Sequence, residues 1–250
     1  MVSSAMKFEN RLVLSAMAGI NNAEFCKKHK AALVILGGFN ADKIANEAGK
    51  KAIERGRKEF VFEDPIEGIE REIRSISGRK FAVNVRSSSL EGYLEVARLV
   101  ESYGGIIEIN AHCRQPEFIS AKCGEWLLFN FEELLKIVRK TSDIAITAVK
   151  IRGGHKLDYR AICKKLFDSG CKIVHIDAMA SNGCDLELIE RVSDLGFVIG
   201  NNSFVDIASG ERIIKTGAKM VSAARAVLKD DKFFEKMLKS EILSQPVSLE

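Results

Sequence analysis

Short apolar runs rich in valine and isoleucine alternate along this chain with longer segments whose apolar residues recur at helical spacing. A parallel sheet covered on both faces by helices requires that alternation, because its strands are buried on both sides and read as near-continuous apolar runs. Eight such runs predict strands at residues 11–18, 32–37, 81–85, 106–110, 145–151, 173–177, 197–200 and 220–223. Each is followed by a helical candidate, clearest at residues 89–102, 131–140, 159–169, 185–195, 205–216 and 231–239. Gly170, Gly196 and Gly217 stand just past three of these helices, where a residue without Cβ enters the left-handed region cheaply.

Eight strand–helix pairs can close into a (β/α)₈ barrel or spread into an open doubly wound sheet. The one-to-one repeat and the length of 250 residues favour a TIM barrel, an α/β fold with a closed, parallel, eight-stranded sheet. The expectation is one domain spanning residues 1–250, with 240–250 as a tail. Two stretches break the rhythm. Residues 41–80 contain an extra helix at 65–77, and residues 112–130 make a connection far longer than the usual two to six or so residues. In this fold long loops at the C-terminal ends of strands carry function.

Composition narrows the class. Hydrophobic residues at 46% and charged residues at 29% describe an ordinary globular chain. No run approaches the ~20 apolar residues of a membrane span, and residues 1–10 lack the basic-then-apolar pattern of a secretion signal, so a cytoplasmic protein without membrane contact is expected. Cysteines 26, 113, 123, 163, 171 and 184 form no CxxC pair and no metal-ligand spacing, which predicts reduced thiols and no metal site. A net charge of +4 neither demands nor excludes RNA, and the basic clusters at residues 27–30 and 50–58 read as solvated helix faces.

In a (β/α)₈ barrel, reactive side chains come from strand ends. Here those ends carry Ser15-Ala16-Met17, Asn84 and Arg86, Glu108-Ile109-Asn110-Ala111-His112-Cys113, Lys150-Ile151-Arg152, His175 with Asp177, and Gly200-Asn201-Asn202-Ser203. Buried amides and cations are costly unless they meet a partner, which makes Asn110, Lys150 and His175 candidates for ligand contacts, with internal hydrogen bonding at the rim as the plainer reading of each alone. The loops after strands seven and eight form the usual phosphate site of such barrels, and Ser222-Ala223-Ala224-Arg225 occupies the second of them.

These motifs, in this order, resemble those of the dihydrouridine synthases and, more distantly, the dihydroorotate dehydrogenases. Ser15-Ala16-Met17-Ala18 is similar to the family's Ala-Pro-Met stretch, with Ala16 in place of proline. Asn110-Ala111-His112-Cys113 resembles Asn-x-Gly-Cys-Pro, with His112 and Arg114 replacing glycine and proline. Lys150-Ile151-Arg152 matches Lys-x-Arg, and His175 falls where the family's flavin-contacting histidine falls. Gly200-Asn201-Asn202 resembles Gly-Asn-Gly, and residues 217–226 resemble Gly-Ala-Asp-Gly-Val-Met-Ile-Gly-Arg-Ala, with Asn202 and Ala224 standing where the family has glycine. With 24 residues after Ala226, the separate RNA-binding helical domain common among dihydrouridine synthases is not expected.

The resemblance implies FMN and an oxidoreductase that moves hydride to or from a C=C bond of a pyrimidine-type substrate, either a small molecule or a nucleoside in RNA. NAD(P)H fits as reductant, and a homo-oligomer is left open. By the resemblance, Gly200, Asn201, Asn202, Ala224 and Arg225 would hold the phosphate. Lys150, Asn84 and His175 would meet the ring edge, and Ala16 and Met17 its face. Asn110, His112 and Arg152 would bind substrate, and Cys113 would act as general acid or base, with Lys150 and His175 as its catalytic companions. Two other readings stay open: a flavin-free barrel enzyme for a phosphorylated metabolite with Lys150 in Schiff-base or acid–base chemistry, and a non-catalytic barrel that binds RNA or protein.

Overall fold

The computed structural model describes residues 6–181 and 183–250; residues 1–5, part of the stretch read above as lacking a secretion signal, lie outside the described residues. Eight parallel strands close into a barrel alternating with helices, so the chain has the (β/α)₈ fold. We number the barrel strands β1 (Leu12–Leu14), β2 (Leu33–Asn40), β3 (Phe81–Arg86), β4 (Ile106–Ala111), β5 (Ile146–Arg152), β6 (Ile173–Asp177), β7 (Phe197–Asn201) and β8 (Met220–Ala223). They lie in chain order around the ring, and β8 pairs with β1 to close it. Among the described residues, no helix is long and apolar enough to cross a membrane.

Strand pleating sends alternate side chains to opposite faces. The outward set, including Val83, Ile107, Val149, Val174 and Val221, packs on the helices, while Val13, Ile35, Ala82, Ile106, Ala148, Ile173 and Met220 fill the lower barrel interior. Further up the same inward rows the chemistry changes from apolar to polar. Along β4 the inward residues run Ile106, Glu108, Asn110, and along β5 Ala148, Lys150, Arg152. One end of the barrel is therefore an oily plug and the other a polar mouth.

The helices start where short polar side chains satisfy their first free N–H groups. Asp42, Asp64, Ser89, Asp158, Asp185 and Asp206 each accept a hydrogen bond from a backbone N–H in the first turn. At the other ends Gly170 and Gly217 adopt the left-handed conformation, with φ of 99° and 105°. Gly196 does not: a Cβ there would meet the Phe167 ring at 2.7 Å, so close packing is what it permits.

Two stretches carry structure that the sequence pattern did not predict. The extra helix at Pro65–Ser75 does precede β3, but the segment before it (55–63) runs back across the mouth. Phe60 and Phe62 pack on Phe39 there, and the Glu59 side chain is fully buried against Arg86. Within the tail expected at 240–250, Val247–Leu249 pairs antiparallel with Met6–Phe8. This ribbon caps the lower end of the barrel with Phe8 and Leu249, which join the interior cluster. Replacing Phe8 with alanine should destabilise the protein by about 3–5 kcal/mol, because Phe8 is 1% exposed and packs on Phe197. Urea unfolding reads the cost, and a loss below ~1 kcal/mol would show that the ribbon is dispensable to the core.

Candidate active site at the barrel mouth

The mouth holds two adjoining cavities of about 880 and 420 Å³ that share Ala16, Arg57, His112, Cys113 and Arg225 in their walls. The larger also meets Ser15, Lys150, Arg152, Asp177, Asn201, Asn202, Ser222 and Ala224; the smaller meets Met17, Glu59, Asn84, Arg86 and Asn110. Side chains drawn from 15 to 225 in the sequence thus open onto one place.

The floor is a connected set of hydrogen bonds. Asn110 donates to Asn84 Oδ1 over 2.8 Å, and Asn84 donates to Glu108 Oε1 over 2.6 Å. Glu108 Oε2 lies 2.7 Å from His175 Nδ1, and His175 Nε2 lies 2.7 Å from Ser222 Oγ, which also accepts from Asn201 Nδ2 over 2.6 Å. Lys150, 3% exposed, donates to Ser15 Oγ over 2.6 Å. An ammonium carries three hydrogens, so two are left for a ligand.

Charges at the mouth come in opposite pairs, as burial demands. Burial opposes the charge of Arg86, but Glu59 at 2.7 Å and Cys113 together outweigh it and hold the guanidinium's pKa above its ordinary value. Arg86 also stacks 3.6 Å over the Phe118 ring and reaches Cys113 Sγ at 3.8 Å. Arg152 meets Asp177 at 3.1 Å and donates to the His112 carbonyl at 3.2 Å. Burial lowers the Lys150 pKa, with Glu108 and Asp177 opposing. Burial also works against ionisation of Glu108, yet His175, Lys150 and the Asn84 amide together take its pKa below the ordinary carboxylate value.

Cys113 sits where the long loop leaves β4. Its N–H donates to Asn110 Oδ1 over 3.0 Å, and its carbonyl accepts from Glu125 N over 2.8 Å, so the loop doubles back and pins it from both sides. His112 is about one fifth exposed, with Nδ1 3.7 Å from Asp177 Oδ2. Burial first, then Lys150 and Arg152, hold its pKa well below 6.5, so the imidazole is neutral at the mouth.

Two candidate residues lie elsewhere than expected. His175 is fully buried beneath the floor with both ring nitrogens engaged by protein, so it presents nothing to a ligand. Gly200 faces outward between helices, where a Cβ would strike Ile213 and meet Ile189 at 3.1 Å; helix packing, not phosphate contact, accounts for it. Asn202 and Ser203 keep glycine-like backbone with φ of 104° and 54°, although neither is glycine. Arg225 forms no ion pair among the described residues and is free to meet an anion.

Several participants carry no distinctive sequence signal. Arg57, read above as part of a solvated face, lines both cavities, and Glu59 neutralises Arg86 from the inserted segment. Glu108 and Ser222 did carry one, since each is a polar residue inside an apolar strand and two positions from another inward polar or charged side chain, or from a neighbour on the same face.

Fold and mouth define a (β/α)₈ barrel protein with a polar, cation-bearing pocket at the C-terminal ends of its strands. Comparison with known proteins finds 29% identity to an uncharacterized protein of Methanocaldococcus jannaschii, covering 94% of this chain and 96% of that protein. No protein-family model matches the chain.

Two predictions follow from the packing and charge of the site. Gly200→Ala should cost about 1–3 kcal/mol of stability by overpacking, read by urea unfolding, while leaving ligand affinity unchanged. Three of the four histidines, His29, His112 and His175, have pKa values held below 6.5, each by burial first. Below pH ~6.5 the unfolded chain binds protons that the folded chain refuses, so their contribution is complete above that pH and declines as pH falls. Melting temperature should therefore drop on acidification from about pH 7 to about pH 5, and His112→Gln should flatten the drop. A melting temperature that rises over that range contradicts the assignment.

Proposed function

We propose that the protein is an FMN-dependent oxidoreductase acting on a C=C bond of a pyrimidine-type substrate. One observation carries the reading: Cys113, Lys150, Asn84, Asn110, Ala16, Met17, Asn202, Ala224 and Arg225, given their roles by the family resemblance, all line the same pair of adjoining cavities.

The residues present fit the cofactor. The joined cavities are ample for a tricyclic ring with a phosphorylated side chain. Asn202 and Ser203 adopt the positive φ that glycine favours, at the position where the family has glycine, and Arg225, in no ion pair among the described residues, lines the same cavity. Asn202, Ala224 and Arg225 would hold the phosphate, Lys150 and Asn84 the ring edge, and Ala16 and Met17 its face.

When bound, FMN supplies hydride chemistry at a ring carbon, which amino-acid side chains cannot supply. The chain's own groups do the rest. Lys150, with two N–H groups free, places positive charge at the floor, where burial away from bulk water strengthens its field. The Cys113 thiol holds or receives the proton of the neighbouring substrate carbon, in a loop fixed by Asn110 and Glu125. Arg152, already oriented by Asp177 and the His112 carbonyl, offers a rigid donor face to a substrate carbonyl or anion. Arg57, Arg114 and Lys229 around the larger cavity suit a substrate that carries phosphate, whether a nucleotide or a nucleoside within RNA, with NAD(P)H as the source of electrons.

The depressed pKa of Lys150 also favours a second reading, a flavin-free enzyme that forms a Schiff base with a phosphorylated carbonyl compound. A visible absorption spectrum separates the two. Under the flavin reading the purified protein is yellow or becomes so with added FMN, and Cys113→Ala lowers turnover by about 10²-fold or more while flavin affinity changes little. A colourless protein that ignores FMN, and that borohydride traps on Lys150 with substrate, would transfer the assignment to the Schiff-base reading.

A further inference from the structure

Beneath the cavity floor runs a chain of polar groups closed to solvent. Glu108, His175 and Ser222 are each at most 1% exposed. A carboxylate only accepts hydrogen bonds, so Glu108 requires the hydrogen on His175 Nδ1, and Nε2 of the neutral ring accepts the Ser222 hydroxyl hydrogen. This tautomer is imposed by Glu108. The ring thus answers the site only through its charge and through Ser222, a residue in the wall of the larger cavity.

The chain has room for one more proton. Protonating Nε2 asks only that the Ser222 hydroxyl rotate, after which its oxygen accepts from Nε2 as well as from Asn201. The groups around the imidazole decide when that happens. Glu108 faces it from β4, Lys150 from the adjoining position of β5 with Arg152 above, Asp177 from its own strand and His112 from the loop after β4; Ser222 and Asn201 are neutral. Glu108 with Lys150 and Asp177 with Arg152 balance in sign, so the unliganded site favours the neutral ring. A negative charge set against Lys150 upsets that balance by one unit.

We propose that the Glu108–His175–Ser222 chain is a proton store for the active site: His175 takes up a proton from solvent, through Ser222 and the cavity, when negative charge arrives against Lys150, and returns it when that charge leaves. His175 is a positioning residue here, acting through Ser222 and through its charge. The inference deepens the flavin reading, in which Lys150 would face FMN and the cofactor would supply one negative charge there when it takes up two electrons and one proton, and rests on it only for the identity of the charge.

Two measurements test it. In the free protein, nitrogen-15 NMR of the histidines should show His175 with its hydrogen on Nδ1, and Lys150→Met should raise its proton affinity about tenfold or more, one pH unit in midpoint, while Lys150→Arg keeps the original midpoint. Hydrogen on Nε2 in the neutral ring, or equal midpoints in Lys150→Met and the parent, overturns the proposal. Should Lys150→Met fail to fold, Lys150→Gln serves with the same expected shift. In the FMN-loaded protein, the pH dependence of the midpoint potential between about pH 6 and pH 8 should show two protons taken up per two electrons, falling to one in His175→Gln. An equal proton count in both proteins overturns the proposal. Failure to bind FMN removes the flavin reading instead, and the NMR titration then decides the coupling by itself.

Discussion

A closed parallel barrel turns every second strand residue into a space that water does not fill, and the mouth of this protein depends on how that space tolerates charge. An uncompensated buried ion costs several kcal/mol, so inward charges persist only with partners of opposite sign. Glu108 has Lys150 and the His175 N–H, Asp177 has Arg152, and Arg86 has Glu59. These pairings keep the charges tolerable, with Arg152 held by Asp177 and Lys150 held by Ser15 Oγ, which leaves part of the Lys150 hydrogen-bonding capacity to a ligand.

The two ends of the barrel divide the work. At the lower end Phe8, Leu249 and the apolar inward rows make a dry plug sealed by the terminal ribbon. At the upper end the same rows become polar, and the loops that leave them supply the groups that would meet a ligand. Rigidity comes from below and chemistry from above, with the Glu108–His175–Ser222 chain at the boundary. A buried polar chain there stiffens the floor only because each of its members is satisfied.

The loops show how the walls of the mouth are held. The long connection after β4 is tied back through the Cys113 carbonyl and through the Arg55–Glu117 pair to the helix at Lys43–Glu54. The inserted segment before the Pro65–Ser75 helix is pinned by Phe60, Phe62 and the buried Glu59. These anchors turn two irregular stretches into a defined wall that carries Arg57 and Cys113.

The sequence by itself determined the barrel, since apolar runs alternating with helical patterns leave few architectures for eight strands, and the predicted strands at 81–85, 106–110 and 173–177 lie on β3, β4 and β6 to within a residue. It also marked which strand ends carry Asn110, Cys113, Lys150 and Arg225, because polar letters inside or just after apolar runs stand out in one dimension. Only the tertiary structure decided which way and how deep each one points. His175 and Lys150 look alike as polar residues in apolar strands, yet one lies beneath the floor with both nitrogens taken and the other borders the cavity, a difference made by the neighbouring strands. Gly200 reads as a phosphate turn until the helices beside β7 are in place, and Arg57 reads as part of a solvated face until its segment folds over the mouth. Partnership across strands is a property of ring closure and register, and no local pattern encodes it.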